Sequence, residues 1–228
     1  TGVFAAQAAL GLLYERDARG SGRGGVIDAY LYGSSLRILE WTMAAYDQLG
    51  QVRGRTGNRL VNSAPLDNYR SRDGKFVCVV AALQNNYRRL CAAMDRPDLL
   101  DDERYATPAA RAAHNDEING IVADWVSELD AAEVEARCIA HDVPVGTAYD
   151  AADIAADPHM QVRGDLVSVI DPVVGPVRQQ APFPRLVGED GPVPTGAPLL
   201  GEHTDEVLRD LLGLDDAALT SLRADRVI

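Results

Sequence analysis

Lysine is nearly missing from this sequence: Lys75 stands alone among 228 residues, so every other basic side chain is an arginine. Basic residues are also outnumbered, 22 against 34 acidic ones, and the net charge of −12 argues against nucleic acid or an anionic membrane as a partner. A polyphosphate ligand would have to be held by a few arginines, by backbone N–H groups or by residues outside this chain. Cysteine is sparse as well. Cys78, Cys91 and Cys138 sit in apolar surroundings without metal-ligand spacing and read as reduced core residues of a cytoplasmic protein. The four histidines, His114, His141, His159 and His203, show no metal-ligand spacing to another His, Asp or Glu, and His141 and Asp142 are too close in sequence to share a helix face. Ser21, Ser34, Ser35 and Ser63 lack a nucleophile-elbow context. No apolar run approaches membrane-spanning length, and no basic n-region with a cleavage site is present.

What is there is a core. With 46% hydrophobic and 25% charged residues, the composition suits one globular domain or two small ones. Residues 1–14 are almost free of charge, and as a helix they would be apolar on nearly every side, which predicts burial. A fully apolar first turn with uncapped N–H groups also suggests that residues upstream of Thr1 belong to the native fold. The glycines at 20, 22, 24 and 25 mimic a phosphate-binding loop, but they follow a helix and precede a β-rich run at 26–32, so they read as a tight connection into a strand. Asp28 would then sit at the sheet edge.

Further along, Ser34 or Ser35 could cap a helix carrying Leu36, Leu39, Met43 and Tyr46, which Gly50 closes. Residues 54–69 have turn chemistry and read as a linker. Residues 75–83 predict a buried strand and 84–95 a helix with Tyr87, Leu90, Cys91 and Met94 inward. Thr107-Pro108 starts a second helix whose inner face would hold Ile118, Ile121, Val122, Trp125 and Leu129. A third begins at Asp130 with Glu133 in capping-box position and buries Val134, Cys138 and Ile139. After a short helix at 151–156 come a hairpin-like β return over 165–180, a Gly/Pro-rich link at 188–198, and two helices at 204–212 and 215–224. Together these readings give an α/β protein and no visible active site.

Several separated motifs go further: the stretch 20–31, Asp102-x-Arg104-Tyr105, Pro144-Val145-Gly146, Asp157-Pro158-His159 and the run APLLGEHTDEVL at 197–208. In this order and spacing the chain resembles the C-terminal part of the family III CoA-transferases, which include formyl-CoA transferase, carnitine CoA-transferase and the α-methylacyl-CoA racemases. The resemblance implies part of a Rossmann-like large domain plus a small α+β domain, in an interlocked homodimer. Residues 1–45 would be a large-domain segment, 46–67 a linker, 68–188 the small domain, and 189–228 a link and helices returning to the large domain.

The resemblance also implies a mechanism. An aspartate carboxylate attacks an acyl-CoA thioester to form a mixed anhydride, from which CoA and a carboxylic acid are exchanged, with CoA a substrate and no cofactor or metal. That aspartate would lie just upstream of Thr1, in the N-terminal half expected to supply most CoA-binding residues, so no catalytic residue is assigned here. The family's glycine-rich loop over the substrate corresponds to residues 60–64, making Asn62, Ser63 and Ala64 candidate substrate contacts, although LVNSA replaces the glycines. Gln84 takes the position of a racemase glutamate, and an amide cannot act as a general base. The expectation is therefore a transferase. The alternatives are an acyl-CoA racemase on the same fold or a non-catalytic subunit of a heteromeric enzyme.

Overall fold

Alanine has the highest helix propensity, and the alanine-rich start forms α1 (Gly2–Asp17). The predicted burial does not follow: no residue of α1 is buried, and Val3 and Leu10 are 83% and 67% exposed. Its apolar side chains point in all directions and so form no single face to pack, and only Ala5, Ala9 and Leu12 are even half-covered. The expected strand at 26–32 is also absent. A strand needs a hydrogen-bonding neighbour, none pairs with this stretch among the described residues, and Val26 stands fully exposed in an irregular segment that includes Asp28. The structure, a computed structural model, describes residues 1–188, 191 and 194–228.

The helix expected from Ser34 or Ser35 to Gly50 is two helices, α2 (Leu31–Ile38) and α3 (Thr42–Leu49). Neither serine caps the first, whose N-cap is Tyr30; Ser35 Oγ instead donates to the Leu31 carbonyl at 3.4 Å. The break includes Glu40, which takes a left-handed φ of 49° that no α-helix continues. Gly50 does end α3 in the left-handed conformation.

The chain divides into two compact units. One comprises residues 1–68, 79–122 and 141–143, the other 69–78, 123–140 and 144–228. Three strands, β1 (Leu66–Arg70), β2 (Phe76–Val80) and β3 (Val145–Thr147), pair in the order β1-β2-β3. β1 begins inside the segment read as a linker; its weak periodicity hid a strand in which Tyr69 is buried. β2 is covered on one face only. Val77 and Val79 are buried while Phe76 and Val80 stay exposed, the two-residue alternation of a pleated strand.

In the first unit α4 (Gln84–Ala93) buries Tyr87, Leu90 and Cys91 as expected, with Met94 at its C-cap. Pro97–Leu100 adds a short 3-10 turn. The helix expected after Thr107 is interrupted at His114 into α5 (Pro108–Ala113) and α6 (Asn115–Ser127). Thr107 caps α5, its side chain accepting from the Ala110 N–H at 3.1 Å. Along α6, whose residues from 123 on belong to the second unit, the fully buried apolar positions are Ile118, Val122 and Val126, four apart, whereas Ile121, Trp125 and, past the helix end, Leu129 are half-buried.

In the second unit α7 (Ala131–Ala140) buries Val134 and Cys138, but Ile139 lies 66% exposed because it is one residue past the inward position. Two short helices follow, α8 (Ala151–Ala156) and α9 (Pro158–Arg163), with Asp150 and Asp157 as side-chain N-caps. β4 (Leu166–Asp171) and β5 (Gly175–Gln180) form the expected antiparallel hairpin, registered from Leu166 opposite Gln180 to Asp171 opposite Gly175. The Asp171 carboxylate closes its turn by accepting from the Val173 and Val174 N–H groups at 2.8 and 3.0 Å. The Gly/Pro-rich link falls partly outside the described residues. The chain ends in α10 (Thr204–Leu212) and α11 (Asp216–Ala224), joined by an Arg209–Asp216 ion pair at 2.7 Å.

Candidate functional site

Residues 60–66 form a short loop leading into β1, and side chains of α5 and α6 hold several of its backbone groups. Arg111 of α5 donates from Nε to the Ala64 carbonyl at 3.0 Å. Asn115, the first residue of α6, donates from Nδ2 to the Leu60 carbonyl at 2.9 Å and lies 3.5 Å from that of Ser63. Asn119, one helical turn on, accepts the Leu66 N–H on Oδ1 at 3.2 Å and donates to the Asn115 carbonyl at 2.8 Å. The Pro65 carbonyl accepts from the Ala81 N–H at 3.0 Å. Arg111 from α5 and, one turn apart on α6, Asn115 and Asn119 thus set three polar side chains along one edge of this loop.

Arg111 is fully buried. Besides Ala64 it donates to the carbonyls of Ala82 and Tyr105 at 2.8 and 2.9 Å and to Gln84 Oε1 at 3.0 Å, and its guanidinium lies 4.1 Å from the Tyr87 ring centroid. Every one of these acceptors is neutral. Burial lowers the Arg111 pKa from its usual value, yet arginine starts so high that the group stays charged. Burial likewise pushes the Tyr87 hydroxyl and the Cys91 thiol up. The Tyr87 hydroxyl spends its proton on the Leu99 carbonyl at 3.2 Å.

Of the residues singled out in the sequence, Ala64 and Gln84 meet at Arg111. Gln84 is engaged at both ends of its amide, since Nε2 also donates to the Ala106 carbonyl at 3.0 Å. Ser63 is half-buried and Asn62 exposed. Arg111, Asn115 and Asn119 were not singled out; the available signal was the pair of asparagines one turn apart beside the inward Ile118 and Val122, and nothing marked Arg111. The motif Asp102-x-Arg104-Tyr105 closes a turn next door. Asp102 pairs with Arg104 at 2.7 Å, Glu117 receives Arg104 and the Tyr105 hydroxyl at 3.0 and 3.2 Å, and Tyr105 offers its carbonyl to Arg111.

A cleft of about 430 Å³ borders the same loop, lined by Arg55, Thr56, Arg59, Leu60, Val61, Asn115 and Asp116. Arg59 is paired within it, to Asp116 at 2.9 Å and also to Asp67. Asn62, Ser63, Ala64 and Gln84 are not part of its lining. In the second unit, a cleft of about 310 Å³ holds Lys75, paired to Asp153 at 2.7 Å, beside Asp73, Glu135 and Asp157. Among the described residues no three His, Cys, Asp or Glu side chains are placed to hold a metal ion. His114 lies 2.8 Å from Glu117 and His203 3.2 Å from Glu206, each three residues along a helical turn. Among the described residues no helix is long and apolar enough to cross a membrane.

Comparison with known proteins adds a family to this geometry. The chain is 36% identical over 226 residues to a succinyl-CoA–D-citramalate CoA-transferase of Chloroflexus aurantiacus, covering 99% of this chain and 56% of that protein. It is also 36% identical over 219 residues to the beta subunit of a succinyl-CoA–L-malate CoA-transferase of the same organism, covering 95% and 54%. The chain spans about half the length of the curated relatives it matches. Its fold superposes on the crystal structure of a CAIB/BAIF family protein from Brucella suis with a TM-score of 0.74 at 25% identity, covering 92% of this chain and 54% of that one. Residues 1–204 match the family model described as CoA-transferase family III, and the chain belongs to that family.

Proposed function

We propose that the protein containing this chain moves CoA from an acyl-CoA donor to a carboxylic acid. The observation that carries this reading is the 36% identity, over 99% of the chain, to an enzyme named for succinyl-CoA and D-citramalate. Other similar proteins are named for transfer between succinyl-CoA and mesaconate, or between succinate and glutarate, so a short dicarboxylic acid is the acceptor class to test first. In the proposed reaction an aspartate carboxylate upstream of Thr1 attacks the thioester carbonyl, and the C–S bond breaks as the C–O bond of an anhydride forms. CoA thiolate then attacks the aspartyl carbonyl, releasing the first acid, and the acceptor carboxylate reverses the sequence to leave as a new thioester. Each step exchanges one acyl bond for another, and no electrons change hands. Asn62 and Ser63 reach the substrate, with Ala64 and Gln84 behind them. The large domain is Rossmann-like, residues 68–188 form the small domain, two copies interlock, and the enzyme works in the cytoplasm.

Gln84 supports transfer over racemisation, because an amide held at both ends has no lone pair basic enough to take an α-proton. A second reading has its own support: two of the similar proteins are subunits of a succinyl-CoA–L-malate CoA-transferase, so this chain's protein can be one partner of a heteromer. The test uses the full-length protein with succinyl-CoA and each of D-citramalate, L-malate, mesaconate and glutarate, following new thioesters by mass spectrometry. Hydroxylamine should trap activated carboxylate on the enzyme. The absence of transfer to any acid, alone and with a co-expressed paralogue, would reject the reading. Rapid α-proton exchange of a 2-methylacyl-CoA in heavy water without an acceptor would favour the racemase instead.

A further inference from the structure

We infer that Arg111, Asn115 and Asn119 act as positioning residues that hold the backbone of residues 60–66 in the shape the acceptor acid needs; the inference rests on the transferase reading above. Three observations support it. The bonds go to main-chain groups at Leu60, Ser63, Ala64 and Leu66, so what they fix is the path of the loop. Arg111 and Asn119 are fully buried, and the cost of desolvating a guanidinium with no carboxylate beside it is not offset by a Coulombic partner. The Arg111 donors go instead to main-chain carbonyls of separate segments, which places those segments relative to one another. Finally, Arg111 joins the loop to the carbonyls of Ala82 and Tyr105 and to Gln84, so one rigid planar fork sets the distance between residues 60–64 and the start of α4.

Asn115 is the place to test this, because it is half-buried and its loss leaves the apolar core intact. In the full-length protein Asn115→Ala removes the donor to Leu60, and Asn115→Asp keeps the shape without the N–H. Asn115→Gln keeps the amide one methylene farther out. Two readouts are needed. Amide hydrogen exchange followed by mass spectrometry should show the peptide over residues 56–66 exchanging faster in the Ala and Asp variants, with α4 peptides unchanged. Steady-state kinetics should show the KM for the acceptor acid rising roughly three- to tenfold, the factor that one neutral hydrogen bond is worth. The Gln variant should restore part of both effects.

Unchanged exchange over 56–66 would overturn the inference. So would faster exchange with an unaltered acceptor KM and only a lower active fraction, which is the mark of a residue that merely stabilises. If the wild type transfers CoA to no acid, the reading of the previous subsection fails by itself, and loop exchange alone then decides whether the three residues hold the loop.

Discussion

A buried arginine usually has a carboxylate beside it; Arg111 has four neutral oxygens and an aromatic ring. Carbonyl dipoles and a ring face can share a cation's charge, though less fully than an anion. This is also why the residue could not be read from the sequence. Arg111 lies in an alanine-rich turn, where a lone arginine looks like a solvated surface group. Only the convergence of Ala64, Ala82, Gln84 and Tyr105 from separate segments makes a place for it. Cys91 and Cys138 were legible as core residues, since apolar neighbours on a helix mark burial directly, whereas Cys78 on β2 is only half-buried. Cys138 is fully buried, and desolvation pushes its thiol up to about 11. A raised thiol pKa leaves little thiolate at lower pH, so iodoacetamide should not alkylate Cys138 in the folded protein between pH 8 and about 10. Labelling should appear when urea unfolds the chain. Modification of Cys138 at pH 8 without unfolding, read by peptide mass spectrometry, would contradict the burial.

At the scale of elements, the sequence reveals whatever is decided locally. The inward face of α4, the Thr107 cap of α5 and the hairpin of β4 and β5 depend on spacing or on a cap within a few residues, and all three form as read. What depends on a distant partner did not come through. The β-branched run at 26–32 has the composition of a strand but no described neighbour to pair with, while β1, with weaker composition, has β2 beside it. Glu40 broke a helix that its residue type gave no reason to break. Gly196 shows a close approach of the same nonlocal kind. A Cβ there would press on the Ile170 carbonyl oxygen and lie 2.9 Å from the Asp171 Cα, both backbone atoms of β4. Gly196→Ala should therefore force the segment off the hairpin and cost about 1–3 kcal/mol, as overpacking does. A lowered urea midpoint for the full-length variant is the expected result. An unchanged midpoint would mean that the segment does not pack there.

On the scale of the whole molecule, the dominant feature is apolar surface left in water. Val3, Leu10, Leu13 and Tyr14 of α1 are 83%, 67%, 44% and 65% exposed, and Tyr30 and Tyr32 add 49% and 75% nearby. Each large side chain left uncovered forgoes about 1.5–3 kcal/mol of burial, and this much exposed apolar surface favours association. Residues 1–228 expressed alone should therefore self-associate. Light scattering should give a mass above the monomer that rises with concentration and falls in mild denaturant. A stable monomer at tens of micromolar would show that α1 needs no cover. Composition made this helix legible as apolar, but composition does not say which surface is meant to meet it.

The loop at 60–66 has a consequence for how such a protein can change. Its shape is written by side chains elsewhere, through bonds to carbonyls and an N–H that every residue type but proline can offer. Val61 and Asn62, both exposed, are thus letters that can be replaced without altering the page. Under the proposed reading, a saturation library at those two positions would search for new acceptors while the scaffold stays out of the experiment.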